Sequence, residues 1–423
     1  MILFVKITRW SWRPVQYFLN KRNAHESKSA TLYIHWPYCK QLCPYCNFNK
    51  YVRDNIDNEL MIKCLLIEFQ SMCRMYDVKK IKSVYFGGGT PSLAPPKLIN
   101  RLLEEVCKYT NVNCEISMEV NPTSTEKKKL SDFKSAGISR VSIGVQALND
   151  RDLKILGREH NVQEALNCFG HAYDIFNANV SIDLMFGRTN QTLDDWIFEL
   201  TQILALKSKH LSLYQLTMKQ GTPMEKQYKK GQLKLPTCDT LADMYEIAVK
   251  MLEEKSIKRY EVSNFAEQGF ECCHNLSYWQ GEDYIGIGPG AHGRLHTPNR
   301  SSRHALIQIA VPEDWIKQVQ KDKHGTRLCK TLSNAQRREE AILLALRSSK
   351  GLDKKFFMDV VGWPVEELQK DQFLNNFLEA GFLHIDNSGL KCSHKGMLLV
   401  DSLALETSLA IDRITSTNFS HNK

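Results

Sequence analysis

The feature that most restricts how this chain can fold is an alternation of strand-like and helix-like stretches that begins near residue 31. Short β-rich runs occur at TLYIHW (31–36), SVYFGGG (83–89), CEISMEVNP (114–122), RVSIGVQ (140–146), NVSIDLMFG (179–187) and HLSLYQLT (210–217). Helix-like segments lie between and after them, at 57–76, 95–109, 125–136, 162–176, 192–206 and 238–255. Thr and Ser ahead of the charged run in TSTEKKKL, and the Thr ahead of TLDDW, are helix-start signals. Successive β–α units predict a parallel sheet with right-handed crossovers. The strands read as mostly continuous apolar or β-branched runs, expected where both faces of a sheet are covered. A doubly wound sheet and a partial barrel both satisfy this pattern.

The strands share a second property: each ends in polar or glycine residues. The first leads into a cysteine cluster and the second into Gly87-Gly88-Gly89-Thr90. The third carries Glu119 and Asn121, the fourth ends in Gln146, the fifth holds Asp183 and the sixth Gln215. In barrel-like α/β proteins the carboxyl ends of the strands converge on one mouth. A buried acid without a partner is costly, so the recurrence predicts one polar site.

The cysteines of that site are Cys39, Cys43 and Cys46, spaced C-x3-C-x2-C in YIHWPYCKQLCPYCNFNKY. Structural zinc takes four ligands. Thioredoxin-like chemistry uses a pair, here Cys43-Pro44-Tyr45-Cys46, and leaves Cys39 idle. The thirteen cysteines of the chain are scattered and no secretory signal precedes them, so reduced thiols are expected. Three thiolates can hold an iron–sulfur cubane and leave one iron open to a ligand.

C-x3-C-x2-C with an aromatic residue before the last Cys, after the first strand of a β/α repeat, resembles the radical S-adenosylmethionine (SAM) superfamily. The resemblance implies a partial (β/α)6 TIM-like barrel, with a 4Fe–4S cluster on Cys39, Cys43 and Cys46 and SAM on the open iron. YIHWPYC, FGGGTPS, EVNP, SIGVQ, GREH, DLMFG and LSLYQLT narrow it to the branch that holds oxygen-independent coproporphyrinogen III oxidase and the haem chaperone HemW. Carried over, Tyr33, Gly88, Gly89, Thr90, Glu119, Gln146, Arg158 and Asp183 are expected at SAM. The oxidase pattern has a further cysteine two residues after the third, where this chain has Phe48. CCHNLSYW contains His274-Asn275-x-x-Tyr278, similar to the haem-binding signature of HemW. That implies haem on His274, with Cys272 and Tyr278 as alternative ligands. The expected function is a haem chaperone for respiratory proteins, served by an electron donor for the cluster. The alternatives are a coproporphyrinogen III decarboxylase and a non-catalytic iron–sulfur protein.

Two glycine motifs are set aside. GIGPGAHG (286–293) is interrupted by Pro289 and lacks a βαβ context, and GGGT lacks the Lys-Ser/Thr of a phosphate loop.

The ends of the chain differ in character. Residues 1–30 carry six Lys and Arg against one Glu, interleaved with apolar residues. They read as a mitochondrial transit peptide. Much of the net charge of +9 lies there, so no nucleic-acid partner is expected. No apolar run approaches membrane-span length. The barrel is expected over 31–265 and a haem-motif segment and connector over 266–330, with a short helix near Trp315. A small α+β winged-helix-like domain should occupy 331–415, before a tail at 416–423. Its elements are a Ser333-capped helix running to Gly351, a second helix to Gly381, a turn at Asn387-Ser388-Gly389 between β-like runs, and a last helix.

Overall fold

The computed structural model describes residues 28–124 and 127–420. Six parallel strands form its centre: β1 (Ser29–Trp36), β2 (Lys80–Gly88), β3 (Thr110–Val120), β4 (Arg140–Gln146), β5 (Val180–Phe186) and β6 (His210–Gln215). They lie side by side in chain order. A right-handed crossover that always steps the same way puts every helix on one face of the sheet. This excludes a doubly wound sheet and leaves an open α/β barrel.

The sheet extends past both ends. Beyond β6 lie β7 (Lys258–Glu261) and β8 (Asn264–Ala266), with β8 antiparallel to β6. On the other side β9 (Tyr284–Ile287) pairs parallel with β1. It is followed outward by the antiparallel β10 (His292–His296), β11 (Arg303–Gln308) and β12 (Thr326–Thr331). Twelve strands result, with free edges at β12 and β7. The later part of the expected haem-motif segment and connector, 266–330, is built into the sheet rather than linking two units. It contains three strands besides the expected helix, Pro312–Asp322. Their register is set by a long-range anchor that local pattern does not reveal. The Glu68 carboxylate, on helix Asn58–Tyr76, accepts from Gly288 N (2.8 Å), Gly325 N (2.6 Å) and Trp315 Nε1 (3.1 Å).

The strands are not continuous apolar runs but alternate. Leu32 and Ile34, Val84 and Phe86, Val141 and Ile143, Ile182 and Leu184, and Leu211 and Leu213 face the helices. There they pack with Met61, Leu65, Phe69, Phe133, Trp196 and Leu200 in the main core. The residues between them face inward and are polar, as the two-residue period of a strand requires. Tyr33 pairs with Tyr85, Tyr85 with Ser117 and Ser117 with Arg140, and then Ser142 with Ser181 and Ser181 with His210. A curled sheet with helices outside leaves its inner face for a ligand, so this lining need not be apolar.

Residues 1–27 of the expected transit peptide lie outside the described residues. Ser29 and Ala30, assigned to it, instead open β1, where Ala30 is buried.

A second apolar core is formed by Ile342, Leu346, Leu352, Phe357, Leu374, Leu383, Leu390 and Leu403. Helix Asn334–Leu346 starts on Ser333, whose side chain accepts from Gln336 N in a capping box. The helix expected from Pro364 to Gly381 is instead a 3₁₀ turn, Val365–Lys370, followed by Gln372–Glu379, and a further helix, Lys354–Val361, precedes it. Gly362, in the left-handed region, ends Lys354–Val361, and Pro364 precedes the 3₁₀ turn. Short strands β13 (Leu352–Asp353), β14 (Leu383–Asp386) and β15 (Gly389–Cys392) form a sheet in the order β13–β15–β14. The unit is tied to the barrel by Val262 N→Arg347 O (3.1 Å), Ser349 N→Tyr260 O (3.0 Å) and an Arg294–Glu340 fork at 2.9–3.2 Å.

Candidate functional site

The cysteine loop leaves β1 at Pro37 and is closed at its base. Tyr51 N donates to Pro37 O (2.7 Å) and Cys39 N to Tyr51 O (2.9 Å). Inside it His35 Nε2 donates to Asn49 O (2.7 Å), while Asn49 Nδ2 reaches Pro289 O and Ala310 O at 2.9 Å. A loop held this way presents its sulfurs from a fixed frame.

All three thiols are free and half-buried. Hydrogen-bond donors are aimed at two of them: Thr90 Oγ1 at Cys39 Sγ (3.3 Å) and Arg158 Nη1 at Cys43 Sγ (3.7 Å). Burial raises the Cys39 thiol above its usual value, and the Thr90 hydrogen bond opposes that rise. Among the described residues no three His, Cys, Asp or Glu side chains converge on a point one ion could occupy. A cubane takes each thiolate on a different iron, so the donor set fits a cluster.

A cavity of about 410 Å³ opens beside the sulfurs. Gly88, Gly89, Thr90, Glu119, Gln146, Arg158 and Asp183 line it together with Cys39, Cys43 and Cys46. The glycines allow close approach: a Cβ on Gly89 would lie 2.8 Å from the Pro37 carbonyl carbon, and Gly88 has φ +111°. Asp183 accepts from Ser142 Oγ at 2.8 and 3.0 Å. Arg158 Nη2 donates to Asn121 Oδ1 (3.3 Å) and Gly144 O (3.2 Å). Glu119 accepts from Tyr85 OH (3.1 Å) and Gly88 N (3.3 Å). Burial, and then the charge of Asp183, push its carboxyl up to about 7. Gln146 sits at φ +70°, where the β4–β5 register shifts. Mixed donors and acceptors around an apolar floor suit a zwitterionic nucleoside ligand.

Tyr33, expected beside SAM, does not line this cavity but borders the space next to it. With Tyr85, Glu119 and Ser142 it lines a second cavity of about 660 Å³ inside the barrel. Tyr85, Gly88 and Glu119 border both cavities. His274, Asn275 and Tyr278 face this second space from helix Cys273–Trp279. The three motif residues thus come together, in a cavity next to the cysteines.

His274 is 7% exposed. Its Nδ1 is hydrogen-bonded to Ser83 Oγ (3.1 Å), and among the described residues nothing takes Nε2. Burial lowers its pKa to about 3, so the ring is neutral and can ligate a metal at neutral pH. Volume, a neutral imidazole and aromatic walls fit a porphyrin. Asn275 Nδ2 donates to Tyr260 OH (3.2 Å), and Tyr278 OH meets Tyr284 OH (3.2 Å). Cys272 also lines the cavity, its Sγ donating to Glu115 Oε1 (3.4 Å), and burial raises its thiol to about 12.

Sequence reasoning missed the supports of this helix. Glu115 Oε1 accepts from Cys273 N (2.9 Å), capping the helix, and Arg140 Nη2 donates to Phe270 O (2.9 Å). Arg140 and Glu115 are themselves paired at 3.6 Å. The available signal was a polar residue at every second position of each strand.

An open parallel barrel with three loop cysteines at its mouth defines the class, and comparison with known proteins agrees. Residues 33–200 match the Radical SAM superfamily, and residues 332–399 match the HemN C-terminal domain. The chain is 42% identical over 382 residues to mitochondrial radical S-adenosyl methionine domain-containing protein 1 of Danio rerio, covering 88% of this chain and 86% of that protein. It is 39% identical over 387 residues to the Bos taurus protein of that name, covering 90% and 87%. It is 32% identical over 375 residues to heme chaperone HemW of Bacillus subtilis, covering 88% and 97%. Among solved structures, coproporphyrinogen III oxidase (HemN) of Escherichia coli shares the fold, with a TM-score of 0.76 at 20% identity over 90% of both chains. The chain belongs to the radical SAM superfamily, in the family of mitochondrial radical S-adenosyl methionine domain-containing protein 1 and HemW. Its location is mitochondrial. The superfamily implies a 4Fe–4S cluster and SAM. No described helix is long and apolar enough to cross a membrane.

Proposed function

We propose that this chain is a HemW-like haem chaperone that binds haem beside a 4Fe–4S cluster and SAM and delivers the haem to mitochondrial respiratory proteins. The observation that carries this reading is the placement of His274. Its neutral ring lines a cavity of about 660 Å³ that shares Tyr85 and Glu119 with the cavity at the cysteines. Several relatives are heme chaperones named HemW, which supports the same reading.

Cys39, Cys43 and Cys46 would hold the cluster, and Arg158 and Thr90 keep Cys43 and Cys39 supplied with hydrogen bonds. Gly88, Gly89, Glu119, Gln146 and Asp183 would hold SAM. A cluster with SAM supplies one-electron reductive chemistry when bound, and an external electron donor would serve it. Tyr33 belongs, in this reading, to the haem cavity. The basic N-terminal segment would act as the targeting signal.

The test is haem titration of the anaerobically reconstituted protein, followed by product analysis with coproporphyrinogen III. Stoichiometric haem binding without decarboxylation is expected. Turnover to protoporphyrinogen IX would overturn the proposal in favour of an oxidase. Phe48, exposed at the mouth in place of the oxidase's further cysteine, is consistent with no turnover.

A further inference from the structure

The residue behind His274 has no place in the reading so far. Ser83 is 1% exposed and sits on β2. It does not line the haem cavity, so it cannot touch a ligand there. Its Oγ nevertheless lies 3.1 Å from His274 Nδ1. A face of the ring is covered as well: Tyr85 stacks on it at 5.2 Å between centroids and 27° between planes. The backbone of the same helix turn is fixed by Glu115. The imidazole therefore has little freedom to rotate, and only Nε2 is left towards the cavity.

A neutral imidazole has one N–H and one lone pair, and a metal takes the lone pair. If iron is bound at Nε2, the proton must stay on Nδ1. A buried N–H needs an acceptor, and the hydroxyl of Ser83 is the one within reach. Without it, the ring would hold a buried, unsatisfied donor whenever Nε2 ligated a metal.

We infer that Ser83 is a positioning residue for haem, accepting the Nδ1 proton of His274 and so committing Nε2 to the iron. The inference rests on His274 as the axial ligand. It explains why a serine stands in the SVYF strand among residues that pack tightly, and why the motif histidine is pressed against β2 rather than left to swing in the cavity.

The experiment is a double-mutant cycle on the full chain, read by haem dissociation constant, absorption spectrum and haem reduction potential. Loss of a partner behind a metal ligand costs about 10- to 100-fold in affinity. Ser83→Ala should therefore weaken haem binding within that range and shift both spectrum and potential. Ser83→Thr, which keeps the hydroxyl, should restore them, with circular dichroism confirming that each variant is folded. In a His274→Ala background, Ser83→Ala should have no further effect. The inference is overturned if Ser83→Ala binds haem like the unaltered protein while His274→Ala loses it. It is equally overturned if Ser83→Ala weakens binding as much without His274 as with it, which would mark a role in folding alone. If His274→Ala itself leaves the spectrum unchanged, the ligand assignment fails first and takes the role of Ser83 with it.

Discussion

The hydroxyl of Tyr85 donates to the Glu119 carboxylate at 3.1 Å, while the ring of the same tyrosine stacks on His274. The same side chain therefore borders both the cysteine cavity and the haem cavity, which also share Gly88, Glu119, Ser142 and Tyr214. Removing the hydroxyl takes away the bond to Glu119 and leaves the ring on His274 in place. Tyr85→Phe is expected to leave the haem spectrum unchanged, because the stacked ring remains. It should alter SAM binding, measured by calorimetry, because Glu119 loses a donor that holds its pKa down. A changed haem spectrum with unchanged SAM binding would contradict this division.

Glu119 makes the SAM side pH-dependent. Its carboxyl is raised by burial and by Asp183 from 4.5 to about 7, so it is neutral below that pH and ionised above it. If Glu119 accepts from the cationic amino group of SAM, affinity should rise as the pH increases through about 7. Glu119→Gln should flatten that rise, and Tyr85→Phe should move its midpoint upward. The stability effect has the opposite sign. Between 4.5 and about 7 the folded chain binds more protons at this site than the unfolded chain does, so its contribution to stability falls as pH rises across that window.

The cysteine trio gives the plainest metal prediction. Replacing Cys39, Cys43 or Cys46 singly by Ala should reduce iron and acid-labile sulfide in anaerobically reconstituted protein to a small fraction. Cys168→Ala, which alters a buried thiol inside the main core, should keep them. Retention of full iron content by any trio variant would remove that residue from the ligand set.

Much of this was readable beforehand, because the signals are local. Strand β4 falls on 140–146 and helix Val162–Ile175 within one residue of expectation, since period and caps mark such elements. The cysteines and the glycine turn were legible in the sequence because they end or follow β1 and β2. Two things were not. The inward row of Ser83, Ser117, Ser142, Ser181 and Ser212 was hidden by small serines that read as part of β-branched runs. Strands β10 to β12 were hidden because antiparallel pairing at a sheet edge depends on distant partners, here Glu68 holding Gly288 and Gly325.

That anchor predicts a remote effect on the cysteine loop. A Cβ on Gly288 would lie 2.4 Å from the His35 carbonyl oxygen, and its φ of +95° disfavours any other residue. Since His35 holds the loop through Asn49, Gly288→Ala should strain both. The cost should be about 1–3 kcal/mol from the backbone conformation alone, with lower cluster loading at equal protein. Unchanged loading and an unchanged melting curve would show that the turn and the loop are independent.

The last prediction concerns a buried charge group under the barrel mouth. Arg188 is 4% exposed and holds two acids: Nε donates to Asp152 Oδ2 (3.0 Å) and Nη2 to Glu199 Oε2 (2.7 Å). Both acids are themselves buried, at 6% and 4% exposure. Removing the cation leaves Glu199 without a counter-charge and Asp152 with only the exposed Arg151 at 3.6 Å, and stranding a buried carboxylate typically costs about 3–5 kcal/mol. Arg188→Met should therefore lower the urea midpoint sharply. Neutralising the acids as well, in Arg188→Met with Asp152→Asn and Glu199→Gln, should recover part of the loss, because the penalty comes from stranded charge rather than from lost packing. If the triple variant is less stable than Arg188→Met alone, packing around the guanidinium, not its charge, is what the barrel needs there.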